Sequence, residues 1–180
     1  MTTWQDRVRG IWAWIAGRRS SEGIYEELRS QAFGIDPASV RTEPGEPWNG
    51  ATLAAMELAL DGATATILAV ADGTVSMYLS TGGGVIGAGE HVAVRAEGRR
   101  FRSVLADVRG SLTPTADFPL PAPGQVRFHA ILGADRVTAV VSEATLRGGR
   151  HPLSSLYAAG QDLLTEIRLA TETVEAVPAT

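Results

Sequence analysis

Residues 53–80 read LAAMELALDGATATILAVADGTVSMYLS, and their pattern sets the architecture expected for the whole chain. Two Asp-Gly pairs, Asp61-Gly62 and Asp72-Gly73, divide the stretch into three short runs. Asp-Gly is a strong signal for a tight hairpin turn, because both residues tolerate positive φ. The runs around these turns contain the alternating apolar positions of half-buried strands. We therefore predict a three-stranded antiparallel meander.

The sequence after the meander predicts a helix, a hairpin and a second helix. Four prolines between the first helix and the hairpin indicate an extended connector. The predicted elements are a helix over 90–112, a connector over 113–124, strands over 125–132 and 137–143, and a last helix from Pro152 through Ile167. Because long amphipathic helices need an apolar surface to pack on, we predict an α+β fold with a five-stranded, mainly antiparallel sheet.

The sequence before the meander predicts two helices. Residues 1–19 form an amphipathic helical arm, and a second helix covers 24–33, ahead of a loop rich in proline and glycine. The predicted organisation is a Trp-rich helix at 1–19, a helix and loop at 20–47, the α+β core at 48–170 and a flexible tail at 171–180.

Composition narrows the possible functions. The 180 residues include no cysteine, so disulfides and thiolate chemistry are excluded. The net charge of −4 gives no general attraction to nucleic acid. Neither a signal peptide nor an apolar run of about 20 residues is present, so we expect a cytoplasmic protein without a transmembrane segment, from a chain whose composition looks bacterial.

The N-terminal arm is the first candidate site. Its apolar stripe, together with a tryptophan beside the stripe, is wider than one packing face requires. Four nearby arginines make a partner groove, a second copy or an anionic membrane surface possible targets, and the membrane is the weakest of the three. The alternative is a helix that caps the domain's own core. The candidate partner-binding residues are Trp4, Val8, Ile11, Trp12, Trp14 and Ile15.

The glycine-rich run at 82–89 is the second candidate site. Gly82, Gly84 and Gly87 match the G-x-G-x-x-G spacing, in which backbone N–H groups approach a phosphate at a helix N-terminus. The predicted context is an antiparallel meander instead of a βαβ unit, and no Lys follows the glycines. A close-packed bend between a strand and a helix is the favoured interpretation. The residues of the ligand-binding alternative are Gly82, Gly83, Gly84, Gly87, Gly89, His91 and Arg95.

Enzymatic chemistry has weaker support in the sequence. His91, His129 and His151 do not share metal-ligand spacing, and no serine lies in a nucleophile elbow. A hydrolase-like site would need the loops carrying His91 and His151 to meet. We predict no catalytic residues, no metal and no cofactor. The leading hypothesis is a non-enzymatic interaction, regulatory or scaffold domain that docks a protein partner or a second copy. The rival is a protein that binds a small ligand, a nucleotide or phosphate.

Overall fold

The computed structural model describes residues 21–43 and 51–175, which contain four α-helices and seven β-strands. In chain order the elements are α1 (Ser21–Phe33), β1 (Ala51–Leu60), β2 (Ala63–Val70), β3 (Val75–Leu79), β4 (Gly84–Ile86), α2 (Val92–Asp107), β5 (Thr113–Pro114), β6 (Gln125–Leu132), β7 (Asp135–Ser142), α3 (Glu143–Arg147) and α4 (Ser154–Glu175).

The seven strands form one antiparallel sheet in the order β4-β3-β2-β1-β6-β7-β5. The predicted meander is present, because β2 pairs with both β1 and β3 across the two Asp-Gly turns. The hairpin of β6 and β7 joins the sheet through β1, where Ala54 lies opposite Ala130 and Met56 opposite Phe128. The centre of the sheet is therefore built from strands far apart in sequence.

The prediction of a five-stranded sheet is wrong, because two short edge strands add to it. β4 lies within the glycine-rich run. Gly82, Gly83 and Gly84 all have positive φ, which returns the chain alongside β3 where a direct bend into the helix was expected. β5 includes Pro114 and pairs only with β7. Proline lacks an N–H and is confined to such edge positions, so a proline-rich connector concealed this strand.

One sheet face carries α2 and α4, and we call it the helix-pair face. Its apolar side chains include Met56, Ile67 and Phe128, all fully buried. They pack in one cluster with Phe101 of α2 and Leu163 of α4. Each helix buries one apolar stripe, and burying a side chain of this size is worth about 1.5–3 kcal/mol.

The opposite face carries α1, and we call it the α1 face. Leu53, Leu68 and Ile131 point to this side, where they pack against Leu28 and Phe33 of α1. Partly buried Phe118 from the connector of residues 115–123 joins the same cluster. The centre of each face is thus covered by described elements, whereas Val140 of β7, opposite Arg127 on the α1 face, is 42% exposed.

Residues 1–19, with all six predicted partner-binding positions, lie outside the described residues, as does the expected core boundary at Trp48. Within the described ranges, no helix is both long enough and apolar enough to cross a membrane.

Candidate functional site

The α1 face buries a carboxylate, Glu57, at the middle of β1. Its side chain has no exposed surface, and Arg29 of α1 binds it in a bidentate arrangement with N···O distances of 2.6 and 2.9 Å. Thr66 of β2 donates to the same carboxylate at 2.9 Å, and Nε2 of His129 on β6 lies 3.2 Å from it. Tyr25 of α1 completes the group through a 2.8 Å bond to Thr66. We call these five residues the Glu57 cluster.

The cluster sets the charge states of its members. Burial alone would raise the pKa of Glu57, but hydrogen bonds from Arg29 and His129 and the nearby positive charge outweigh burial, so this pKa is lowered. Burial opposes the charged form of Arg29, but the bonds with Glu57 outweigh it and raise the pKa of Arg29. Burial raises the pKa of Tyr25. Glu57 and Arg29 therefore form a charged pair over a wide pH range.

Aromatic rings pack around His129 at the edge of the cluster. Phe33 and Phe118 stack with ring centroids 4.4 Å apart, and His129 meets each ring edge-on at 5.1 Å. The connector is also held by polar bonds, because Nε2 of His129 lies 3.2 Å from the Pro119 carbonyl oxygen and Arg29 donates to the Phe118 carbonyl. Glu57 and His129 have no exposed side-chain surface, and the arrangement fastens α1 and the connector to the sheet.

An open groove of about 550 Å³ lies between α1 and the connector. A volume in this range is typical of sites that bind ligands or side chains. Apolar side chains lie along its walls, and exposed charged groups stand at its rim. Its lining includes Tyr25, Glu26, Phe33, Asp117, Leu120 and Arg136.

The glycine-rich run is used for turns and close packing. Gly82–Gly84 make the turn between β3 and β4, and a Cβ at Gly84 would lie 2.3 Å from the Met77 carbonyl oxygen. Gly87 precedes a short 3₁₀ turn. A Cβ at Gly89 would lie 2.0 Å from the Gly73 carbonyl oxygen, so backbone contact excludes any larger side chain.

Two arginines near the glycine-rich run form ion pairs, whereas the nearby His91 is exposed. Arg95 donates to the Gly89 carbonyl oxygen at 2.7 Å and pairs with Glu43 at 3.3 Å. Arg99 pairs with the same carboxylate at 3.2 Å. His91 is exposed at the start of α2 and makes no capping bond through its side chain. The side chain of Glu43 thus pairs with Arg95, the arginine that the ligand-binding alternative would use.

A small pocket of about 70 Å³ adjoins the glycine turn. Gly82 and Gly83 line it together with Leu28 and Tyr78. The Tyr78 hydroxyl is buried and has no hydrogen-bond partner among the described residues. Burial raises the pKa of Tyr78 to about 12, an effect that Ser76 only partly offsets, so the phenol stays neutral and can donate.

The three histidines do not form a common site in the described structure. His91 is exposed, His129 is buried in the Glu57 cluster, and Nδ1 of His151 accepts from the Leu153 N–H at the start of α4. Among residues 21–43 and 51–175, no group of three potential ligands could hold a metal ion.

Sequence reasoning did not find the Glu57 cluster. One signal was available, because Glu57 is the only charged residue in the apolar run of 51–60. Strand register places Thr66 directly opposite Glu57, whereas His129 and Arg29 arrive from distant elements. Comparison of the chain with protein-family models, curated proteins and solved structures finds no match in any of the three.

Proposed function

We propose that this chain is a non-enzymatic protein-interaction domain that docks a partner protein, or a second copy, through the apolar stripe of residues 1–19. The observation that carries the proposal is the closed core. Helix α1 covers one face of the sheet, and α2 and α4 cover the other. The centre of the sheet is therefore covered without residues 1–19, and the tryptophans of that segment remain available for a partner.

The Glu57 cluster supports a scaffold role instead of catalysis. Nε2 of His129 faces both the Glu57 carboxylate and the Pro119 carbonyl oxygen, while its Nδ1 is buried without a hydrogen-bond partner among the described residues. A general acid or base must come within hydrogen-bond reach of a substrate, and these two groups have no exposed surface.

The proposal is tested with a charge placed inside the stripe and a matched charge outside it. Ile11→Glu disrupts the apolar stripe, whereas Ala13→Glu adds the same charge two residues away. Sedimentation velocity measures self-association, and proteins captured from the native host are purified and rebound to each variant. We expect Ile11→Glu to abolish the association and Ala13→Glu to retain it. Equal association by both variants would refute the proposal.

A second candidate is ligand binding at the pocket beside the glycine turn, favoured by the unpartnered hydroxyl of Tyr78. A space of about 70 Å³ holds about two water molecules, so it suits a small group with a hydrogen-bond acceptor and not a whole nucleotide. The test is a thermal-shift panel of inorganic phosphate, nucleotides and small phosphorylated metabolites. Stabilisation by one of them that is lost in Tyr78→Phe supports this candidate. No stabilisation at millimolar concentration eliminates it.

A further inference from the structure

The groove between α1 and the connector has both apolar walls and an exposed acidic rim. Leu120, which lines this groove together with Phe33 and Phe118, is 47% exposed. The exposed charged residues of the lining are Glu26, Asp117 and Arg136. The guanidinium of Arg29 is already neutralised by Glu57. Such a groove suits an apolar side chain carried by a basic segment.

The chain itself contains a segment of this chemistry. Residues 1–19 carry four arginines and Asp6, a net charge of +3, which leaves −7 for residues 20–180 of the −4 total. This segment ends immediately before α1, whose residues Tyr25 to Phe33 line the groove. The connection holds the segment at a high effective concentration next to the groove.

The spacing of two tryptophans in residues 1–19 equals the spacing of two aromatic residues of α1 that line the groove. Trp4 and Trp12 are eight residues apart, and so are Tyr25 and Phe33 at the two ends of the groove. Eight residues of helix correspond to about 12 Å. If residues 1–19 ran antiparallel to α1 with the reversal between Arg18 and Arg19, Trp12 would lie opposite Tyr25 and Trp4 opposite Phe33.

We propose that the groove between α1 and the connector is an intramolecular docking site for residues 1–19, with Trp4 at its Phe33 end and Trp12 at its Tyr25 end. This inference rests on the proposed role of residues 1–19 in docking a partner, and it adds that the groove regulates this docking. A partner must displace the segment from the groove, so the groove lowers the affinity of the free chain for that partner.

The absence of cysteine permits a site-specific test in the full chain. Ala116→Cys, exposed in the groove, is labelled with bimane, a fluorophore that tryptophan quenches on contact. Ala93→Cys on α2, at the opposite face of the sheet, is the matched control. We expect most of the emission to be lost at position 116 and none at 93. Trp4→Phe should restore emission at 116, and Trp12→Phe should not.

A second measurement uses the tryptophans directly. All four tryptophans lie outside the described residues, so in a Trp48→Phe background the emission comes only from residues 1–19. Leu120→Arg places a cation in the groove and should shift this emission to longer wavelength. Leu60→Arg, at a leucine of similar exposure (49%), should leave it unchanged.

Three outcomes would overturn the inference. Unquenched bimane at position 116 means that the groove is unoccupied. Quenching that rises with protein concentration assigns the groove to the segment of a second copy. Equal responses of Leu120→Arg and Leu60→Arg mean that the tryptophans dock elsewhere. In each case, loss of partner association in Ile11→Glu still supports the proposed function, so the two ideas fail separately.

Discussion

At Glu57 the chain buries a full negative charge and surrounds it with donors from α1, β2 and β6. Burying two charges costs several kcal/mol per ion, and their attraction repays this only when the remaining hydrogen bonds are made. Here the bidentate geometry of Arg29 and the bond from Thr66 meet that condition. The cluster therefore fixes how α1 sits on the sheet more than it adds net stability.

Removing the charge of Glu57 should lower stability, because it leaves the partly buried charge of Arg29 without a counter-charge. We expect Glu57→Gln to lower the free energy of unfolding by about 3–5 kcal/mol in urea titrations. Asp162→Asn is the matched control, since Asp162 forms an exposed pair with Arg100. That control should lose less than about 1 kcal/mol. Similar losses in the two variants would show that the buried pair contributes nothing special.

The lowered pKa of Glu57 predicts how the free energy of unfolding decreases at acidic pH. Because the folded state holds this carboxylate ionised, the unfolded state binds more protons in acid, and stability falls as pH falls. The loss begins near the ordinary carboxyl pKa of 4.5 and continues down to the folded pKa of Glu57. Unfolding measured from pH 7 to pH 3 should show a shallower decline for Glu57→Gln than for the wild type. Parallel pH profiles would contradict this assignment.

Gly89 should tolerate no side chain, for a steric reason. Its Cβ would lie 2.0 Å from the Gly73 carbonyl oxygen, so Gly89→Ala must move backbone. We expect a loss of about 1–3 kcal/mol in the free energy of unfolding. Gly110→Ala is the control, because nothing lies within 4 Å of a Cβ at that position. A neutral Gly89→Ala would mean that this part of the run is free to move.

At the scale of elements, the connector is a strap over the α1 face. Phe118 stacks on Phe33, and the carbonyls of Phe118 and Pro119 meet Arg29 and His129. A connector rich in proline loses less conformational entropy on folding, so holding it in one fixed path costs less free energy. The strap and α1 therefore stabilise each other's position.

Truncating Phe118 should release the strap. Phe118→Ala removes the stacked ring, and we expect the free energy of unfolding to fall by about 1–3 kcal/mol. Hydrogen exchange of residues 115–123 should accelerate, whereas Val92→Ala, at a side chain 85% exposed, should change neither measurement. Unchanged exchange in Phe118→Ala would indicate that the polar bonds alone hold the connector.

The elements that the sequence predicted are those with local signals. The Asp-Gly turns indicated β1 to β3, and the predicted strand over 125–132 has the bounds of β6. β4 and β5 were missed because glycine and proline, which normally argue against strands, occupy edge positions here. The helix predicted to reach Leu112 ends at Asp107, where the chain tightens into a 3₁₀ turn. The partners of Glu57 depend on register between four elements, whereas the local sequence offers only the lone charge of Glu57 within the apolar run of 51–60.

At the scale of the whole molecule, charge and apolar surface are unevenly distributed. The sheet and its helices bury their apolar faces against each other, while residues 1–19 combine a wide apolar stripe with a charge opposite to that of the rest of the chain. A segment of this kind is suited to dock reversibly, either in the groove beside α1 or on a partner.

Urea unfolding of residues 20–180 beside the full chain, followed by circular dichroism, tests the central claim most directly. If helices α1, α2 and α4 already close the core, the shortened chain unfolds in one cooperative transition. Its free energy of unfolding then lies within about 1 kcal/mol of the full chain, and its denaturant slope decreases only by the small surface that residues 1–19 bury in the groove. A shortened chain that is unfolded in buffer, or that loses its cooperative transition, would show that residues 1–19 belong to the core.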